Sequence, residues 1–269
     1  MKTILYLTDL YFEAKGRKYY EEDLFLTAKL KDHFNILIGH PHQAISFIDA
    51  ADIIVFRNTG AVMVYQDYFN SFLEAVGEKG VPTFNSFDGK ADIKGKQYLI
   101  DLMDLNYPVI PTIANISGLD RLGDPEKYIV KIKNGADSIG MDILSKSELL
   151  AYNPEEKLIQ PFLTLEYEVS FYYLNDEFQY ALYAPDKQKR WELIEYIPSE
   201  ADLAFADRFI SWNNIKTGIT RVDAGRTSTG ELLLVELEDL NPFLSLQLLS
   251  EEKQQQFISR WVAVLENLS

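Results

Sequence analysis

The chain predicts an α/β protein assembled from α+β lobes. Strand and helix patterns alternate over residues 1 to 85, strand follows strand from 166 to 240, and the stretch between mixes the two. Alternation needs crossovers and so a parallel sheet, whereas short turns give antiparallel pairing. Three lobes follow: 1–87, 88–164 and 165–269.

The first lobe reads as a strand over residues 4–7, a helix over 21–31, strands over 35–38 and 53–56, a helix near 65–76 and a short strand at 82–84. A small parallel sheet places its ligand-facing groups at the C-terminal strand ends, here Asp9 and Arg57-Asn58-Thr59. The middle lobe opens with a basic turn (Lys90, Lys94, Lys96) that enters a helix over 97–105. A strand over 128–132, a Gly-bearing loop, a helix over 145–151 and a strand over 158–162 follow. The third lobe reads as antiparallel strands over 167–174, 178–183 and 191–197, a hairpin over 221–238, and a terminal helix over 251–266. That helix packs through Phe257, Trp261, Val264 and Leu265.

With 269 residues, 47% of them hydrophobic, the chain can bury a large core. A net charge of −15 argues against nucleic-acid backbones and anionic membranes as main partners. There is no cysteine, which removes disulfides, thiolate nucleophiles and Cys-ligated zinc. No run approaches the ~18 apolar residues of a membrane span, and the N-terminus is charged too soon for a signal peptide. A cytoplasmic address is the expectation. His40-Pro-His42 reads as loop surface, because no third metal ligand lies nearby.

The hairpin holds the most informative residues. Glu236 and Glu238 sit two apart and share a strand face, and Asp223 lies on the preceding strand. Pairing the strands gathers three carboxylates, which repel unless cations are present. Hard oxygens in this arrangement suit Mg²⁺, while the plain alternative is a solvated edge hairpin. The loop after Lys131, with Gly135, Ser138 and Gly140, offers small residues over which backbone amides can approach phosphates; alone it is an ordinary turn. Gln160-Pro161-Phe162-Leu163 reads as a strand running into a connector, with Glu168 shortly after.

In chain order Lys96, Lys131, the Gly-bearing loop, Gln160 to Leu163, Glu168, Arg221-x-Asp223 and Glu236-x-Glu238 resemble the ATP-grasp superfamily, in its glutathione synthetase-like and D-alanine–D-alanine ligase-like branches. The resemblance implies an ATP-grasp architecture, a small parallel-sheet lobe followed by two α+β lobes clasping ATP. In those terms Lys96 and Lys131 contact the nucleotide, Ser138 belongs to the phosphate loop, and Gln160, Phe162 and Leu163 form the adenine hinge. Glu168 accepts the ribose, Arg221 neutralises a phosphate or acyl phosphate, and Asp223, Glu236 and Glu238 hold Mg²⁺ (or Mn²⁺). The implied activity is an ADP-forming, ATP-dependent ligase joining a small-molecule carboxylate to an amine or thiol. The sequence leaves the oligomeric state open, the homodimer being the commonest assembly of proteins in general. Glu238 departs from the usual Asn of the family's Glu-x-Asn. Tyr183 falls about where a phosphate-contacting lysine is expected, with Lys187, Lys189 or Arg190 as substitutes from the next turn. That departure keeps a second reading open, a nucleotide-binding regulatory protein of the same fold without turnover.

Overall fold

The computed structural model describes the chain except residues 15, 16, 61, 134–139, 153–156, 187, 188, 190 and 269. A parallel sheet comes first. Its elements are β1 (Thr3–Leu7), a small hairpin of β2 (Glu13–Ala14) and β3 (Arg17–Lys18), α1 (Tyr20–Leu30), β4 (Asn35–Gly39), β5 (Ile53–Phe56), α2 (Gln66–Lys79) and β6 (Thr83–Phe84). The sheet order is β4-β1-β5-β6. β1 and β5 are covered on both faces, which is why they read as unbroken apolar runs. α2 stops at Gly80, whose φ of 63° is the left-handed conformation that favours glycine.

The middle block holds α3 (Tyr98–Asp104), β7 (Tyr128–Ile132), β8 (Asp142–Leu144), α4 (Lys146–Ala151) and β9 (Lys157–Pro161), with an antiparallel sheet in the order β8-β7-β9. α4 begins at Ser145, which forms a reciprocal capping box with Glu148. The last block holds β10 (Tyr167–Leu174), β11 (Glu177–Tyr183), β12 (Ile194–Tyr196), α5 (Glu200–Asn213), β13 (Ile219–Arg226), β14 (Leu232–Glu238) and α6 (Glu251–Glu266). Its antiparallel sheet runs β12-β11-β10-β13-β14.

Both faces of this five-stranded sheet are covered over part of their area. On one side Tyr172, Leu174 and Leu182 join Ile4, Tyr6 and Phe84 of the parallel sheet and Trp261 of α6 in one core. On the other side Phe171, Tyr173 and Leu234 pack with Tyr98 and Leu102 of α3 and Phe209 of α5. The expected strands leave residues 198–220 unassigned, and α5 lies there. Its apolar residues Phe205, Phe209 and Trp212 are also good strand formers, but they are spaced at helical intervals behind a Ser199–Asp202 capping box. Among the described residues no helix is long and apolar enough to cross a membrane.

Candidate active site

The β13–β14 hairpin turns at residues 227–230, where Gly230 takes a φ of 88° and its N–H donates to the Thr227 carbonyl at 3.0 Å. The register pairs Arg221 with Glu238 and Asp223 with Glu236, but Ala224 with Leu234. Val235 is therefore an extra residue, and the register shift marks a β-bulge. The bulge has a specific effect on side chains. Strict alternation would put Leu234 and Glu236 on one face, yet Leu234 faces the core and Glu236 faces away from it, beside Asp223 and Glu238. Oxygens of these three carboxylates lie within 4.8 Å of one another.

Cations converge on the acids. Arg221 Nε donates to both Asp223 oxygens at 2.9 and 3.1 Å, and its Nη2 reaches Asp223 at 2.8 Å and Glu238 at 2.6 Å. Ser170, opposite Asp223 on β10, donates to it at 2.6 Å. Lys96 is ion-paired with Glu236. The Lys96 N–H also donates to the Lys133 carbonyl at 3.0 Å, which fastens it to the end of the strand bearing Lys131. Further bonds hold β14 in place. The Leu237 N–H donates to the Tyr98 hydroxyl at 2.8 Å, Asp92 accepts the Asp239 and Leu240 N–H groups, and Asp239 accepts those of Ala91 and Ile93.

The electrostatics follow from this crowding. Burial pushes the Glu236 carboxyl up, but Lys96 and then Lys131 overcome it and hold it at about 2. Burial raises Glu238, Arg221 pulls it back, and Glu236 and Asp223 push it up again, to about 8. Burial lowers Lys131 to about 8, against the pull of Glu236 and with repulsion from Lys96. The cluster thus holds one carboxyl that resists ionisation and one ammonium that is costly to keep charged. A divalent cation would relieve the first and an anion the second, so the donor set fits a metal-bound polyphosphate.

The remaining expected residues are distributed as follows. Gln160 is buried and donates to the Thr112 hydroxyl at 2.7 Å. The Phe162 side chain is exposed, while its N–H donates to the Lys127 carbonyl at 2.9 Å. Leu163 is half-buried and Glu168 exposed; Glu168 lies two residues before Ser170, on the same face of β10. Ser138 and most of the Gly-bearing loop lie outside the described residues, as do Lys187 and Arg190. Lys189 pairs with Glu192 at 2.9 Å on the surface.

Two expectations need correction. Tyr183 pairs with Val169, one residue out of step with the Leu182–Ser170 pair that lies level with Asp223. It therefore faces the opposite side of the sheet, against Tyr167 and Tyr196. Arg57 and Asn58 are not ligand-facing strand ends either. Arg57 is buried, with Nη2 donating to Glu22 at 3.2 Å and to the Pro242 carbonyl at 2.9 Å, while Asn58 donates to the Tyr19 carbonyl. Of those four strand-end residues only Asp9 keeps some exposure. Its Oδ1 meets His40 Nε2 at 3.1 Å and accepts the Tyr11 N–H at 2.8 Å. His40, partly exposed in the loop after β4, is thus a partner of Asp9 at the strand ends. The site also uses Ser170, Tyr98, Asp92 and Asp239, which no sequence motif singles out. Only Ser170 had a usable signal, its even spacing from Glu168.

No family model and no curated protein matches the chain. Solved structures do match it over nearly its whole length. The D-cycloserine synthetase DcsG superposes with a TM-score of 0.72 at 19% identity, covering 98% of this chain and 99% of that one. The D-alanine–D-alanine ligase from Bacillus anthracis, complexed with ATP, gives 0.66 at 14% identity, covering 100% and 97%. The ATP-grasp ligase PsnB, complexed with a precursor variant, Mg and ADP, gives 0.61 at 14% identity, covering 97% of each chain. The chain has the ATP-grasp fold. These three neighbours are ligases or synthetases by name, at identities that establish a shared fold.

Proposed function

We propose that the chain is an ADP-forming, ATP-dependent ligase that joins a small-molecule carboxylate to an amine or thiol. The observation that carries this reading is the convergence of Lys96 from the turn before α3, Lys131 from β7 and Arg221 from β13 on Asp223, Glu236 and Glu238. A substrate carboxylate oxygen attacks the γ-phosphorus of ATP, the bond to the β-phosphate oxygen breaks, and ADP leaves. The amine or thiol then attacks the acyl carbon, phosphate departs, and the nucleophile gives up its proton. Such chemistry needs no protein nucleophile; positioning and charge neutralisation suffice.

Asp223, Glu236 and Glu238 would hold Mg²⁺ or Mn²⁺, whose contribution when bound is to neutralise charge on phosphoryl oxygens. Arg221 and Lys131 are the proposed catalytic cations. Lys96, Lys131, Ser138, Gln160, Phe162, Leu163 and Glu168 are the proposed nucleotide contacts; the Gln160 side chain already donates to Thr112. The division into lobes at 87/88 and 164/165 belongs to the same proposal, as does action in the cytoplasm.

A second reading has an observation of its own. Arg221 and Lys96 are already paired with the acids of the cluster, so a nucleotide must compete with internal partners. Binding without turnover is the outcome if it competes incompletely. The deciding assay measures ADP and phosphate release from Mg·ATP in the presence of mixed amino acids. Turnover that Asp223→Asn abolishes supports the ligase. An ATP-induced thermal shift without phosphate release in any mixture supports the binder.

A further inference from the structure

The parallel sheet ends on one side at β4, and this edge differs from the others among the described residues. β6 is two residues long and follows Pro82. β8 and β12 have three residues each and carry Asp142 and Glu195. β9 carries Lys157 and Pro161 and is bridged by Ile113. β14 is bridged by Val109. Shortness, charge, proline or a covering segment are the usual guards of a sheet edge against pairing with another chain. β4, Asn35-Ile-Leu-Ile-Gly39, spans five residues and has none of them.

Its side chains are also uncovered for a parallel strand. Leu37 and Ile38, on opposite faces, are 41% and 44% exposed, and Phe47, on the Leu37 side next to Gly39, is 43% exposed. Parallel strands ordinarily bury both faces. The charge pattern says what covers them. A quarter of the chain is charged and its net charge is −15, yet residues 33–48 contain no Asp, Glu, Lys or Arg. Two copies repel over most of their surfaces, whereas at this edge they meet without opposing charge.

We propose that β4 is a homodimer interface in which two copies pair edge to edge, antiparallel about a two-fold axis through Leu37. The register follows from the hydrogen bonds. The Asn35 N–H and the Gly39 carbonyl are used toward β1 and its continuation, so residues 35, 37 and 39 point inward and the N–H and C=O groups of Ile36 and Ile38 point outward. Centring the axis on Leu37 pairs all five residues. Ile36 then faces Ile38 of the other copy in the hydrogen-bonded positions, four bonds in all, and Leu37 meets its own copy in a closely spaced non-hydrogen-bonded pair. The product is one continuous eight-stranded sheet.

The test is sedimentation velocity on the full chain from about 1 to about 100 μM, with Leu37→Lys as the variant and Leu248→Lys, at an exposed position elsewhere, as the control. Two lysines facing each other across the axis should raise the dimer dissociation constant at least tenfold, a change of about 1.4 kcal/mol. The control should leave it unchanged. Amide exchange at Ile36 and Ile38 should slow as concentration rises. A wild-type monomer across the range overturns the proposal, including one that captures a foreign strand at β4. So does a dimer indifferent to Leu37→Lys, or one whose Ile36 and Ile38 amides exchange as fast as in the monomer.

Discussion

Glu238→Gln should stabilise the metal-free protein, and only in a defined pH window. In the folded chain this carboxyl is pushed from an ordinary value of 4.5 to about 8. The folded state therefore binds its proton more tightly than the unfolded state does, and stability falls as pH rises between those values. Below about 4.5 the penalty is absent; above about 8 it is complete. At 1.36 kcal/mol per unit the shift has a ceiling of about 5 kcal/mol. Glu238 shares its proton balance with Glu236, so a penalty of about 2 kcal/mol is the working figure. Glutamine escapes it while its oxygen can still accept from Arg221 Nη2. For a chain of this size that corresponds to a rise of about 4–8 °C in Tm at pH 8.5, shrinking toward zero at pH 5. Thermal melts in EDTA at both pH values measure it directly. Adding Mg²⁺ should narrow the gap at pH 8.5 by stabilising the wild type. A variant less stable than the wild type at pH 8.5, or a gap that ignores pH, would show that the three acids are structural partners of Arg221 rather than a charge cluster awaiting a cation.

The other expectations concern the cations. Lys131→Met should weaken ATP binding about tenfold or more by calorimetry, the loss of one charge-assisted phosphate contact; unchanged affinity removes Lys131 from the site. The same variant should melt higher than the wild type at pH 7, because an ammonium lowered to about 8 costs stability below that pH. The gain should fade as pH climbs toward the ordinary lysine value of ~10.4. Lys96→Met leaves Glu236 without its ion-pair partner and should cost about 2–4 kcal/mol in urea unfolding, with most of the loss recovered in the Lys96→Met/Glu236→Gln double variant. Arg57→Met should cost about 3–5 kcal/mol by stranding Glu22 in the core, while the folded fraction binds ATP as the wild type does.

Local patterns reached a long way into this structure. β5, β7 and α6 have the limits that apolar runs and helical spacing indicate, and the two-residue interval of Glu236 and Glu238 foretells a shared face. The failures share one cause, which is that facing depends on partners distant in sequence. Tyr183 has the right position along β11 and the wrong parity, a fact visible only once its pairing with Val169 is known. Arg57 stands at a strand end, but whether such a residue meets solvent or a buried glutamate is decided by α1 and by the Pro242 loop, 185 residues away. Leu234 and Glu236 look like same-face residues until Val235 bulges. α5 is the exception, because its capping box was there to be read ahead of aromatic residues that suit either kind of element.

The single amide that ties Lys96 to the Lys133 carbonyl has a mechanical corollary. One lysine precedes a helix and the other lies on a strand some 35 positions later, yet this link makes them one rigid fork. Whatever rocks the small middle sheet toward or away from the hairpin must deliver both tines together. For as long as that bond survives, the backbone carrying the first lysine travels with the strand carrying the second.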